Sequence, residues 1–198
     1  GIDVERMDAV APADRTALAL RAEDRVILWA GRLDPIKGVD VLLRAMALLR
    51  KTEPRVVLLL AGDGPIRTEL QRQAIALGLG ESVRFLGMRK DVAALMKCCD
   101  VFAFPSRTEG LPNALLEAMA CRCAIETTDA PGCRDLIEHQ RTGLVVAPND
   151  EASLASAVAR LLSDKSLASA LGQEARLAVT SSWHFARMLD EYAAAYAE

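Results

Sequence analysis

Two carboxylates, Glu109 and Glu117, stand eight positions apart in a stretch that runs from Phe102 to Glu117 and reads FAFPSRTEGLPNALLE. The apolar opening predicts a buried strand, Pro105-Ser106 breaks it, and a polar loop leads to a helix expected to open at Pro112, where a missing N–H costs nothing. Leu111, just before, has no side-chain oxygen with which to cap that helix. The N–H groups of Asn113, Ala114 and Leu115 are therefore expected to lack a local acceptor. A bare helix N-terminus after a strand and a glycine-containing turn suits an anion, most often a phosphate. A phosphate would repel both carboxylates, but each can accept hydrogen bonds from hydroxyls on either side of it. Ribose hydroxyls, a diphosphate and sugar hydroxyls, in that order, are what a nucleotide sugar presents. A single Glu on a loop or helix is commonly just solvated. Glu117 differs because it sits within the apolar run Leu115, Leu116, Ala118, Met119 and Ala120, where an unpaired charge is costly.

Basic groups that would face the same diphosphate come earlier, in the segment Gly31 to Gly38, GRLDPIKG. Gly31 lets the chain turn close to a ligand. Arg32 can fork onto phosphate oxygens, and Lys37 offers a point charge at the start of the next helix. Taken alone, either cation reads as a solvated surface residue; position raises its significance. Gly62-Asp63-Gly64-Pro65 reads as a tight turn into a proline-started helix. Gly87-Met88-Arg89 is a connecting loop that can also face a base. Neither the dinucleotide GxGxxG nor a Walker A sequence occurs. His139 and His184, the only histidines, read as structural, and no Ser/His/Asp set can be assembled.

The elements that must position these residues follow from hydrophobic patterning. Continuous apolar runs predict strands at 25–30, 55–61, 82–86, 100–104, 123–127 and 143–147. Helices are expected over 39–51, 66–77, 91–98, 112–121, 134–139, 150–163, 166–179 and 183–196, with a short helical pattern near 15–22. Strands alternate with helices and are apolar throughout instead of every second residue. Both features predict an α/β fold: a doubly wound, mostly parallel sheet with helices on both faces, and extra helices at the C-terminal end. In such a sheet ligands bind along the carboxyl edge of the strands. GRLDPIKG, GDGP, GMRKD and SRTEGLPN all follow predicted strands, so they are expected to converge there.

At 198 residues the chain suits one large domain. Its net charge of −3 argues against nucleic acid as the main partner. No apolar run approaches the roughly 20 residues of a membrane span. Five cysteines at irregular spacings favour reduced thiols and a cytoplasmic protein. Cys121-x-Cys123 with Cys133 and His139 makes only a thin zinc set, with no second Cys-x-x-Cys pair behind it. Small buried hydrophobes describe these cysteines better.

Taken together, these residues resemble the donor-binding half of a retaining glycosyltransferase of family 4 with the GT-B fold. The likeness extends from Gly1 to Trp183 and Tyr196. Its most specific part is Glu109-x7-Glu117 within PSRTEGLPNALLEAMAC; GRLDPIKG, AGDGP, FLG and TGLVVAPND fall in the family's order and spacing. The resemblance implies that Arg32 and Lys37 hold the diphosphate. It places the transferred sugar and distal phosphate on Glu109 and on the backbone of Gly110, Leu111, Pro112 and Asn113. Glu117 would bind the ribose, and Met88-Arg89 would lie near the base. The implied reaction moves a hexosyl group from a UDP- or GDP-sugar to an acceptor saccharide or lipid with retention of configuration. No cofactor or metal is expected, the positive side chains and helix dipole stabilising the leaving diphosphate. The resemblance also implies that residues 1–24 are a lead-in from an N-terminal acceptor domain absent here, with 25–198 the nucleotide-sugar domain. The full-length protein would then be cytoplasmic or peripheral to the inner membrane face. A non-catalytic scaffold module and a nucleotide-sugar epimerase are the alternatives. The chain departs from the family pattern at Arg122-Cys123, where Gly-Pro is usual. It does so again at Glu126, where a small residue is usual, and at Pro131-Gly132-Cys133-Arg134-Asp135, in place of Gly-Gly-x-x-Glu. All three departures are expected near the sugar pocket.

Overall fold

The computed structural model describes residues 2–183. Among these residues six parallel strands form one sheet in the order β3-β2-β1-β4-β5-β6. They are β1 Arg25–Ala30, β2 Val56–Ala61, β3 Val83–Gly87, β4 Val101–Phe104, β5 Ile125–Thr128 and β6 Leu144–Val146. Strand order reverses between β1 and β4, the point at which an open α/β sheet leaves a crevice at its carboxyl edge. β2 is buried at every position, and β1 at all but its first, which accounts for their unbroken apolar sequences.

Among the described residues seven α-helices cover the sheet: α1 Val4–Ala9, α2 Val39–Leu49, α3 Arg67–Ala76, α4 Val92–Cys98, α5 Asn113–Ala120, α6 Glu151–Ser163 and α7 Lys165–Ser182. α2 packs on α3 and α6, while α5 packs on α1, α4 and α7, giving a helix layer on each face. The apolar stripe of α2 (Val39, Leu42, Leu43, Met46, Leu49) is wholly buried. None of the described helices is long and apolar enough to cross a membrane.

Three expectations about elements are corrected. The lead-in helix is α1, not 15–22: Asp3 caps it through the Arg6 N–H at 2.9 Å. Residues 15–19 fold into turns instead, with the Arg15 guanidinium bound to the carbonyls of Arg21, Asp24 and Cys98. The helix at 134–139 is replaced by turns. Gly132 enters the segment with a left-handed φ of 78°, and at its far end the Glu138 N–H donates to Thr142 Oγ1 at 2.8 Å. α5 starts at Asn113 with Pro112 as its cap residue, since ψ of Pro112 is 97° and therefore extended. The helix expected at 183–196 and His184 lie outside the described residues.

One buried side chain breaks the pattern. Glu126 sits mid-strand in β5 between Ala103 of β4 and Leu144 of β6, with no exposed surface. Neither carboxylate oxygen has a hydrogen-bond partner. Burial pushes its pKa up from 4.5 to about 8.

Candidate active site

Glu109 is the most firmly held of the anticipated residues. Its carboxylate accepts a hydrogen bond from Ser106 Oγ at 2.6 Å and two from Lys37 Nζ at 2.7 and 2.8 Å. Its backbone N–H donates to the Pro131 carbonyl at 3.1 Å. The pair is largely withdrawn from water, with 20% of the Lys37 side chain and 9% of the Glu109 side chain exposed. Nζ also lies 5.9 Å from the centre of the Phe104 ring, within cation–π range.

Local structure explains how two residues 72 positions apart meet. After β1, Asp34 caps a single 3-10 turn, Pro35–Lys37, and Gly38 turns the chain into α2 with φ of 67°. A Cβ on Gly38 would lie 2.0 Å from the Pro105 carbonyl oxygen. The start of α2 is thus pressed against the end of β4, and the last residue of the 3-10 turn reaches the loop carrying Glu109. Gly132 performs the same service from behind: its Cβ would lie 2.6 Å from the carbonyl oxygens of both Glu109 and Gly110.

The tip of α5 is as bare as expected, with one correction. The Leu115 N–H donates to the Pro112 carbonyl at 3.0 Å and is not available. Within residues 110–114, the N–H groups of Gly110, Leu111, Asn113 and Ala114 donate to none of the described residues, and no side chain caps the helix. Four unengaged donors at and just before a positive helix end make a site for an oxyanion.

Arg32 is placed differently from Lys37. It is exposed, its side chain makes no hydrogen bond or ion pair with the described residues, and it lines a cavity of about 490 Å³ with Gly31, Asp63, Met88 and Arg89. This cavity lies at the carboxyl ends of β1, β2 and β3. Arg89 is tied to Asp91 by hydrogen bonds of 2.8 and 2.6 Å, whereas Met88 is 81% exposed. Glu117 belongs to neither group. It is half-buried on α5, and its carboxylate accepts no hydrogen bond from a described residue. Burial raises its pKa, opposed by the charge of Arg6 on α1.

Two contributors escaped the sequence reading. Ser106 is fully buried and orients Glu109; its place three residues before a Glu was the available signal. Arg107 forks onto both Asp40 oxygens at 2.9 and 2.8 Å, donates to Asn149 Oδ1 at 2.7 Å and also reaches the Pro35 carbonyl. Burial raises the Asp40 pKa, but Arg107 and Arg44 outweigh it and hold the carboxyl below its ordinary value. Nothing in the sequence marked a partner 67 positions away. Cys133, which the sequence reading placed near the sugar pocket, is fully buried. Its thiol is raised to about 11 by burial, with Glu109 adding and hydrogen bonds with Thr127 and Thr128 opposing.

The departures noted in the sequence do not share one place. Gly132 abuts the Glu109 loop, but Glu126 is in the core, and Arg122 and Cys123 precede β5 at the opposite edge of the sheet. Cys121 and Cys123 are likewise at that far edge while Cys133 is near Glu109, so the thin zinc set is split. Among the described residues no group of three or more His, Cys, Asp or Glu is arranged to hold a metal.

The family described as glycosyl transferases group 1 matches residues 10–178. The chain belongs to that family. A Campylobacter jejuni N-acetylgalactosamine-N,N'-diacetylbacillosaminyl-diphospho-undecaprenol 4-alpha-N-acetylgalactosaminyltransferase is 36% identical over 88% of this chain and 46% of that protein. A Mycobacterium tuberculosis GDP-mannose-dependent alpha-(1-6)-phosphatidylinositol monomannoside mannosyltransferase is 32% identical over 93% of this chain and 51% of its own length. Anabaena HepE, solved in complex with UDP and glucose, superposes with a TM-score of 0.92 at 27% identity. The match covers 100% of this chain and 55% of HepE. The chain thus spans about half the length of these relatives. By contrast it covers all of the solved C-terminal domain of the group 1 protein LpcC from Francisella tularensis, with a TM-score of 0.80 and 22% identity, a likeness of fold.

Proposed function

We propose that this group 1 glycosyltransferase chain is the nucleotide-sugar-binding domain of a retaining hexosyltransferase, and that a separate acceptor domain completes the enzyme. The observation that carries the reading is the pairing of four unengaged backbone N–H groups at the tip of α5 with a fixed Glu109 one residue upstream. The tip suits the distal phosphate, and Glu109 suits the hydroxyls of the transferred sugar, which a carboxylate binds as acceptor. Arg32 stands at the cavity mouth, where a guanidinium forks onto the remaining phosphate oxygens. The cavity beside Met88 and Arg89 takes the base, and Glu117 accepts from the ribose. Lys37 holds Glu109 in place and adds positive charge beside the bond that breaks. Positive side chains and helix dipole together stabilise the diphosphate as it leaves.

The names of the relatives favour UDP- or GDP-linked donors and lipid-linked acceptors. HepE was solved with UDP, and the mycobacterial relative is named for GDP-mannose. Calorimetric titration of this chain with UDP, GDP and ADP tests the donor reading. We expect one of the three to bind with 1:1 stoichiometry and to lose at least tenfold in affinity with Arg32→Ala. Absence of binding by all three refutes it. Transfer itself requires an acceptor held in line and water excluded, so it is measured in the full-length protein, where Glu109→Ala is expected to abolish it.

A further inference from the structure

Four of the five cysteines gather at the sheet edge opposite the nucleotide crevice, and the donor reading uses none of them. Cys99 ends α4 and leads into β4, and Cys123 leads into β5. Both thiols donate to the same acceptor, the Met96 carbonyl, at 3.2 and 3.4 Å. The two sulfurs are therefore neighbours about one carbonyl oxygen, and Cys123 is buried. β4 and β5 are adjacent and parallel, with Phe102 beside Ile125. Extending this register puts Cys123 beside Asp100, one residue from Cys99. Adding the one-residue offset of about 3.3 Å to the roughly 4.8 Å between neighbouring strands puts the Cys99 and Cys123 Cα atoms about 6 Å apart, within the separations of about 4.4–6.8 Å that a disulfide bridges. Cys121 faces elsewhere, with its sulfur 3.9 Å from the Ala93 carbonyl. Cys99, Cys121 and Cys123 line a cavity of about 570 Å³ that Lys97 and Arg122 also border.

We propose that Cys99 and Cys123 are an oxidisable pair that closes to a disulfide when a peroxide enters this cavity. Cys99 is half-buried and cavity-facing, so it reacts first. Its thiolate sulfur attacks one peroxide oxygen, the O–O bond breaks, and the departing hydroxide takes up the thiol's proton and leaves as water. Cys99 is left as a sulfenic acid. The Cys123 sulfur then attacks the Cys99 sulfur, the S–O bond breaks, and a second water leaves with the Cys123 proton. Two thiols lose two electrons and hydrogen peroxide gains them. Buried Cys123 stays a protonated thiol, unreactive to solvent oxidants, until its neighbour is activated. The closed loop encloses β4, the Glu109 loop and α5, so the tie brackets the candidate active site without touching it.

Tryptic mapping under non-reducing conditions tests this on the full chain. Peptide 98–107 carries Cys98 and Cys99, 108–122 carries Cys121, and 123–134 carries Cys123 and Cys133. After stoichiometric hydrogen peroxide and alkylation, 98–107 is expected joined to 123–134 with the loss of two hydrogen atoms, and dithiothreitol is expected to separate them. The same link is expected in the C98S/C133S variant, which leaves Cys99 and Cys123 as its only possible ends, while 108–122 is recovered alkylated. Any of four results overturns the proposal: a link from 98–107 to 108–122, a link between chains, over-oxidised Cys99 without a link, or full alkylation of all three thiols. Because the wild-type chain must itself show the link, a folding defect in the variant does not remove the test.

Discussion

Replacing Glu126 with Gln is expected to stabilise this domain, by an amount that depends on pH in a defined way. An ordinary glutamate in the unfolded chain titrates near 4.5, whereas burial moves this one to about 8. Between those values the folded chain holds a proton that the unfolded chain has released, so folding becomes less favourable as pH rises. The slope is about 1.4 kcal/mol per pH unit. The effect is absent below pH 4.5, grows until the pH passes 8, and is then constant. Gln cannot ionise, and the two neutral side chains have nearly the same size and polarity. The stability difference between Glu126→Gln and wild type is therefore near zero at pH 4.5, about 3 kcal/mol at pH 7 and about 5 kcal/mol at pH 9. Urea denaturation of both proteins at these three pH values measures it, and taking the difference removes the titration of every other group. Glu126→Val should gain more at every pH, because both orphaned oxygens disappear from the core. A difference that does not change with pH, or a Gln variant less stable than wild type at pH 7, refutes the reasoning.

Lys37→Ala leaves the Glu109 carboxylate buried against Ser106 without its cation. It should cost about 3 kcal/mol in urea unfolding, near the low end for a broken buried pair, and weaken the binding of whichever nucleotide titration identifies. Gly38→Ala forces a Cβ towards the Pro105 carbonyl at a positive φ, and a drop in thermal midpoint of several degrees, corresponding to about 2 kcal/mol, is expected by calorimetry. Asp40→Asn removes an acid whose folded pKa is lowered, so its stabilisation is present above pH 3.8 and fades as pH falls through the folded value. The stability gap between this variant and wild type should be open at pH 7 and narrow as pH falls below 3.8, as followed by circular dichroism during denaturation.

The sheet was legible because its strands are buried on both faces: RVILWA and VVLLLA have no polar position to disguise them. The bare tip of α5 was legible for a related reason, since a Leu-Pro entry offers no capping oxygen. Short-range competition was harder to see. The expected helix at 134–139 loses to a left-handed Gly132 and to a Thr142 hydroxyl that captures a backbone donor, and both effects depend on where the chain folds back. Long-range pairing was not legible at all. Lys37 and Arg32 are both cations five positions apart in one motif, yet one is buried against Glu109 and the other faces an open cavity. Glu126 stood out in sequence as an unusual residue, but only its place in the sheet between Ala103 and Leu144 shows that it is buried in the core.

Arg107 joins the carbonyl of Pro35, the carboxylate of Asp40 and the amide of Asn149 in one guanidinium, while Gly38 leaves no gap beneath Pro105. Segments 34–40 and 105–109 therefore behave as a single mechanical part, although the chain reaches one long before the other. Grafting the acidic loop alone onto a related sheet would strand its carboxylate without an anchor. Swapping donor preference between relatives by loop exchange should succeed only when both segments travel together.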